Sequence, residues 1–266
     1  MLTERRRIVL RAVVDHHVAS NAPVGSSILA KRYVANVSPA TIRSELGALE
    51  NKALLYQPYT SAGRLPTLAG YRRVVDDILS MPSLSIGSSA SSVMAAYPHQ
   101  ELHRALRRPS NQRSSVLFAE LFKTVVFNLG RVTNSLALLT VAPSPHVGAS
   151  AQTSLGASQF YYNGLANLLT QPEFTKPGAQ EGFTQLVCML ENEHELSEIL
   201  ETSSHDSSVT VSIGGENVAV GLSELSLITS RHKAGVVAVI GPTRMNYGDA
   251  ISAVSTAAHV LDDALG

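Results

Sequence analysis

The chain has 266 residues, 44% hydrophobic and 16% charged, which is enough for two modest domains. It has no run of about 18 apolar residues, and its N-terminal MLTERRRIVL lacks the apolar stretch of a signal peptide, so we expect neither a membrane span nor a membrane partner. The single cysteine, Cys188, excludes an internal disulfide framework and is typical of a cytoplasmic protein.

The net charge of zero conceals a split along the chain. Residues 1–79 contain 11 Lys and Arg against 6 Asp and Glu, and residues 80–134 contain 6 against 2. Residues 135–266 contain 4 against 13. A basic front and an acidic rear indicate a polyanionic partner for the front alone. Chance clustering of solvated charge is the alternative interpretation.

Three helices are predicted at the start of the chain. The first covers residues 3–20, with Thr3 as its cap, and the second, shorter helix covers residues 26–33. Ser38 and Pro39 then begin the third, because serine is favoured at the cap and proline at the first helical position. This helix is predicted to continue to about residue 52.

A short strand over residues 54–57 follows, and then the turn-rich segment PYTSAGRLPT. Arg64 and Leu65 are expected to pair back on the strand, and Thr67 to cap a fourth helix. Three helices, a strand, a loop, a strand and a helix form the order of a winged helix-turn-helix. We therefore predict a DNA-binding domain over residues 1–79.

The third helix has one apolar face and one bare face. Ile42, Leu46 and Leu49 fall on the apolar face. The opposite face lacks the Lys and Glu that a solvent-facing helix usually carries, so it can approach another surface closely, as in a DNA major groove. Its residues are small or compact: Ala40, Ser44, Gly47, Ala48 and Asn51.

The predicted DNA contacts divide by role. Thr41, Arg43 and Ser44 are expected to choose the bases, and Lys31 and Arg32 to contact phosphates. Arg64 is expected to point from the tip of the loop towards a phosphate or an adjacent minor groove. The complete predicted set is Lys31, Arg32, Ser38, Thr41, Arg43, Ser44, Tyr59, Ser61, Gly63 and Arg64.

The rest of the chain is predicted to be an α+β domain over residues 94–266, after a serine-rich linker over residues 80–93. It begins with a long amphipathic helix ending near residue 129, and residues 142–158 are linker-like by composition. Strands are predicted over 135–141, 209–213, 225–230 and 235–240. Helices are predicted over 164–170, 183–201 and 247–265.

No motif for catalysis, a cofactor or a metal occurs in the sequence, so we expect a protein that is not an enzyme. Cys188 lies beside apolar residues and is expected to be a buried small hydrophobe. The segment SIGGEN, residues 212–217, is expected to be a hairpin turn.

Several long segments, in the same order, closely resemble the heat-inducible transcription repressor family HrcA. They are APVGSSILAKRY, SPATIRSELGALE, QPYTSAGRLPTLAGYR, GLANLLTQPEF and VIGPTRMNYGDAI. The resemblance implies a dimeric repressor of chaperone genes that binds an inverted-repeat operator in double-stranded DNA. It also implies a GAF-like second domain, and an active form that is maintained by a GroEL-type chaperonin.

The chain departs from this family in its middle. Family members usually carry further strands and an inserted dimerisation segment after the equivalent of LALLTVAP, where this chain has about fifteen linker-like residues. Ser44 stands where asparagine is expected. Two alternatives remain: a GAF-type regulator that senses a small ligand and, because the dimerisation segment is missing, a defective repressor. The faces expected to join two copies are Ile251–Leu261 and Leu117–Val126.

Overall fold

The computed structural model describes residues 2–34, 37–81, 115–142, 159–175, 180–204, 209–217, 222 and 224–265. The chain divides into two compact units. The first comprises Met1–Leu84 with Thr243–Asn246, and the second comprises Ser85–Pro242 with Tyr247–Gly266. The start of the predicted long helix and most of both predicted linkers lie outside the described residues.

The first unit begins with three helices: α1 at Glu4–Ser20, α2 at Ser26–Arg32 and α3 at Pro39–Glu50. The cap predictions are confirmed. The Thr3 side chain accepts a hydrogen bond from the Arg6 amide, and the Ser38 side chain accepts one from the Thr41 amide. These bonds satisfy amides that have no partner within the helix.

A small antiparallel hairpin follows, of β1 at Leu55–Tyr56 and β2 at Leu65–Pro66. It leads into α4 at Leu68–Leu79, which Thr67 caps as predicted. Ion pairs fasten α1 to its neighbours: Arg6 Nε lies 2.8 Å from Glu45 Oε2, and Arg7 Nε lies 3.3 Å from Asp77 Oδ2. The core residues of this unit include Val9, Leu10, Val13, Leu29, Ile42, Leu49, Leu55, Tyr71 and Val75.

The second unit is an α+β structure. Its helices are α5 at Ser115–Thr133, α6 at Leu165–Leu169, α7 at Gln180–Glu191, α8 at Glu193–Thr202 and α9 at Tyr247–Leu265. Its strands are β3 at Leu136–Val141, β4 at Gln159–Asn163, β5 at Thr210–Ile213, β6 at Leu225–His232 and β7 at Gly235–Pro242.

Within the described residues the five strands form one antiparallel sheet in the order β4-β3-β7-β6-β5. Helices cover both faces because alternate side chains of the buried strands point to opposite sides. Leu138 and Leu227 belong to a core cluster shared with α6, α7 and α8. On the other face α9 packs against β6 and β7, and α5 packs against β3 and β4.

Several sequence predictions were wrong in this unit. β4 was not predicted, and it forms by pairing with β3 from Ala137 to Val141. The helix predicted over residues 183–201 is divided at Asn192, whose side chain caps α8 by accepting from the Glu195 amide. The segment Gly214–Glu216 is a single 3₁₀ turn rather than a hairpin turn.

Two predictions of burial need correction. Cys188 is exposed, because it lies on the opposite side of α7 from the buried Leu186. The apolar faces that were expected to join two copies are instead core: Ile251 and Leu261 on α9, and Phe122 and Val125 on α5, are fully buried within the chain. No described helix combines the length and apolarity that crossing a bilayer requires.

Candidate nucleic-acid interface

The exposed face of α3 is the centre of the candidate interface. Ile42, Leu46 and Leu49 are buried beneath it, so the helix cannot rotate without exposing apolar surface. Arg43 and Ser44 are exposed. The structure therefore presents Arg43 and Ser44 outward, as the apolar spacing predicted.

The N-terminus of α3 is built by Ser38 and Thr41. Ser38 Oγ lies 3.1 Å from the Thr41 amide nitrogen and 2.9 Å from Thr41 Oγ1. Ser38 is exposed, whereas Thr41 is half-buried with its hydroxyl at the cap. The same two side chains thus fix where the helix begins and occupy its first exposed turn.

Lys31 and Arg32 end α2, and both are exposed. Behind them, the ring of His16 is buried and contacts Tyr33, whose hydroxyl lies 3.4 Å from His16 Nδ1. Burial lowers the pKa of His16, and the positive charge of Arg32 lowers it further. His16 is therefore held neutral, which leaves the exposed charge at this corner to Lys31 and Arg32.

The loop between β1 and β2 is held from inside by Gln57. Its Nε2 donates to the Thr60 carbonyl at 2.7 Å and to the Ala62 carbonyl at 2.9 Å. Tyr59 and Ser61 are exposed, with 65% of Tyr59 accessible. The loop is a closed turn that presents Tyr59 and Ser61 to solvent.

Arg64 does not lie at the tip of this loop, so that prediction was wrong. Its backbone forms a bridge with Val24, with N–O distances of 2.9 and 3.1 Å. Its guanidinium bonds the carboxylate of Glu50 at the end of α3. Gly63 makes the bridge possible, because a Cβ on Gly63 would lie 2.3 Å from the Val24 carbonyl carbon.

A cleft of about 450 Å³ lies between the loop, the start of α2 and the side of α3. Its walls include Gly25 and Ser26 on one side, Ser61 and Gly63 on another, and Arg43. In the described part of the chain Arg43 makes no ion pair, whereas Glu45 and Glu50 on the same helix are both paired with arginines. The cleft and its rim therefore carry an unneutralised positive charge at Arg43.

The predicted residues thus fall into three groups in the first unit. Thr41, Arg43 and Ser44 lie on α3, and Ser38 caps it. Tyr59, Ser61, Gly63 and Arg64 lie on or beside the loop. Lys31 and Arg32 lie at the end of α2. Sequence reasoning missed Val24, Glu50 and Gln57, because each acts through a contact that no local pattern encodes.

Comparisons with known proteins extend over the whole chain. The family model described as HrcA protein C-terminal domain matches residues 97–251, more than half of the chain. A heat-inducible transcription repressor HrcA from Acaryochloris marina is 29% identical, over 99% of this chain and 98% of the relative. The HrcA repressor from Synechococcus sp. strain RCC307 is 31% identical, over 98% of each chain.

The alignment with the Acaryochloris marina protein extends over 361 positions although this chain has 266 residues. That relative therefore carries segments for which this chain has no counterpart. A solved structure described only as that of a hypothetical protein superposes with a TM-score of 0.69 at 17% identity. It covers 99% of this chain and 97% of its own, and it supports the fold alone.

These matches define the class of protein: a transcription repressor, which acts on DNA. The chain belongs to the HrcA family of heat-inducible transcription repressors. It represses heat-shock genes.

Proposed function

We propose that the first unit is a winged helix-turn-helix that places α3 in the major groove of an inverted-repeat operator. The observation that carries the proposal is the outer face of α3, where exposed Arg43 and Ser44 stand on a helix whose other face is fixed by buried Ile42 and Leu49. A bare helix with an exposed guanidinium fits a groove, where arginine pairs with guanine.

The residues have different proposed roles. Thr41, Arg43 and Ser44 read base edges, while Lys31, Arg32 and the exposed hydroxyl of Ser38 contact phosphates. Tyr59, Ser61 and Gly63 form the wing beside the groove. The phosphate contacts supply DNA affinity that does not depend on sequence, and the base contacts supply affinity that does.

The rest of the chain serves regulation and assembly in this proposal. Residues 1–79 form the DNA-binding domain, residues 80–93 a linker, and residues 94–266 a GAF-like domain. The antiparallel sheet between two layers of helices supports the GAF-like assignment. Two copies in the cytoplasm bind the two halves of the operator, and a GroEL-type chaperonin maintains their active form, as the family resemblance implies.

A selection from random DNA tests this proposal, because it finds the operator sequence by binding alone. The purified full chain is presented with randomised duplex DNA, and the bound fraction is amplified and sequenced through several rounds. We expect an inverted repeat whose half-sites are separated by a whole number of helical turns, about 10 base pairs or a multiple. Recovery of no common motif, or of a single unrepeated half-site, would refute the operator proposal.

A further inference from the structure

We infer that Glu50 and Arg64 are positioning residues that fix the wing against the recognition helix, and that Arg64 does not itself contact DNA. The inference deepens the proposed function and rests on it. It assigns a role to Glu50, an acidic side chain that lies close to the surface proposed to bind DNA.

The two side chains form an ion pair through one carboxylate oxygen of Glu50. Arg64 Nε and Nη2 both lie 2.9 Å from Glu50 Oε2. The Arg64 side chain is 21% exposed and the Glu50 side chain 34% exposed, so the pair is partly shielded from water. Partial shielding and a charge-assisted hydrogen bond make this contact stronger than a fully exposed surface ion pair.

Arg64 is also held through its backbone. Its amide donates to the Val24 carbonyl at 2.9 Å, and its carbonyl accepts from the Val24 amide at 3.1 Å. One residue of the wing is therefore fastened to the end of α3 by its side chain and to the segment before α2 by its main chain. The wing, α3 and the segment before α2 surround the cleft, so their relative positions depend on Arg64.

The pairing leaves different electrostatic roles for the two arginines. The charge of Arg64 is balanced by Glu50, and its Nε–H already donates to that carboxylate. Arg43, which faces the same cleft, makes no ion pair within the described residues. For Arg64 to contact a phosphate, its bonds to Glu50 would have to break and leave a carboxylate near the DNA, which is unfavourable.

The test measures operator affinity of the full chain as a function of salt for Glu50→Gln, Arg64→Ala, Arg64→Lys and the double variant Glu50→Gln/Arg64→Ala. Each single variant is expected to weaken operator binding by about three- to tenfold, and the double variant no further, since both remove one coupled contact. Binding to random DNA should change less, because a misplaced wing affects the register on the operator most.

The salt dependence separates positioning from direct contact. Loss of a phosphate contact lowers the slope of log Kobs against log salt by about 0.9, whereas loss of a positioning pair leaves it unchanged. Lys31→Ala serves as the standard for loss of a phosphate contact. Glu4→Gln on α1 is the matched control for Glu50→Gln, because it also removes one carboxylate charge, but from an ion pair that is more exposed.

Three results would overturn the inference: a reduced salt slope in Arg64→Ala, wild-type affinity in Arg64→Lys, or equal or tighter operator binding by Glu50→Gln. The last would mean that Glu50 restrains an arginine that binds DNA. Melting curves check that each variant is folded at the assay temperature. If another variant is unfolded, the result for Arg64→Lys, the mildest change, decides between positioning and direct contact. Failure of the wild-type chain to prefer any operator would instead refute the proposed function.

Discussion

The surroundings of individual side chains separate residues that look alike in the sequence. Arg43 and Lys31 are both exposed cations of the first unit, yet one stands on the outer face of α3 and the other at the end of α2. Loss of a base-reading arginine should weaken binding to the operator most, whereas loss of a phosphate-contacting lysine should weaken binding to any DNA.

We predict that Arg43→Ala weakens operator binding by about 1–3 kcal/mol and random-DNA binding much less, because guanine pairing is lost. Lys31→Ala should weaken both alike and lower the salt slope by about one. Fluorescence anisotropy titrations with operator and scrambled duplexes at several salt concentrations measure both effects. Equal effects of Arg43→Ala on the two duplexes would remove the claim that α3 reads bases.

His232 is a buried residue of the second unit whose tautomer follows from its partners. The Ala234 amide donates to His232 Nδ1 at 3.3 Å, so Nε2 carries the proton and donates to the Thr140 carbonyl at 3.2 Å. Burial lowers the pKa of His232 below 6.5, against the opposing influence of the Thr140 carbonyl and Asp262. A second proton on Nδ1 would also break the bond from Ala234.

We predict that the His232 contribution to stability is fully present above pH 6.5 and is lost as the pH falls towards the lowered pKa of the folded state. The unfolded chain binds the proton more readily than the folded chain in that range. Unfolding free energies of the wild type and His232→Gln, measured from pH 8 to pH 5.5, should converge as the pH falls. A constant difference between them would contradict the prediction.

At the scale of elements, the cap of α3 controls the helix that carries the proposed DNA interface. Ser38→Ala removes the acceptor for the Thr41 amide and is expected to destabilise the helix by about 1 kcal/mol. Hydrogen exchange of the first-turn amides of α3 measures this locally. Ser44→Ala, in the exposed middle of the same helix, is the control and should not accelerate exchange; acceleration in both would show a general effect of the substitution.

The loop between β1 and β2 depends on a close approach of the backbone at Gly63. A methyl group there would overlap the Val24 backbone, with distances from 2.3 Å, so Gly63→Ala should break the bridge at a cost of about 1–3 kcal/mol. The measurable result is faster hydrogen exchange of the Arg64 amide and weaker operator binding. Gly47→Ala is the matched control for exchange, because a Cβ at Gly47 meets nothing within 4 Å. An unchanged Arg64 amide would refute the strain argument.

These elements show where sequence reasoning succeeds. Thr3, Ser38 and Thr67 mark helix starts correctly because a cap bonds an amide three residues away. The outward placement of Arg43 follows in the same way from the 3.6-residue period.

Long-range pairing explains the failures. The sequence predicted Arg64 at the tip of the loop. Its partners Glu50 and Val24 are 14 and 40 residues away, and no local pattern signals them. β4 was missed because only its pairing with β3 makes it a strand, and its alternation is weak. Cys188 was predicted to be buried because its neighbours in sequence are apolar. It is exposed, because it lies on the outer side of the helix.

At the scale of the whole molecule, the proposal requires two copies of the chain on one operator. The faces of α5 and α9 are used in the core of one chain, and the alignment with a longer relative leaves some of that protein without a counterpart here. An inverted repeat nevertheless requires two DNA-binding domains. Light scattering of the operator complex should give two chains of 28.3 kDa per duplex. One chain per duplex would contradict the dimeric proposal.

The most direct measurement of the central claim is the affinity of the full chain for its selected inverted repeat and for a scrambled duplex of equal length and composition, at one fixed physiological salt concentration. A sequence-specific repressor that reads DNA through α3 should prefer the inverted repeat by roughly a thousandfold or more. Arg43→Ala should remove most of that preference. Equal affinity for the two duplexes, or a preference unchanged in Arg43→Ala, would contradict the account.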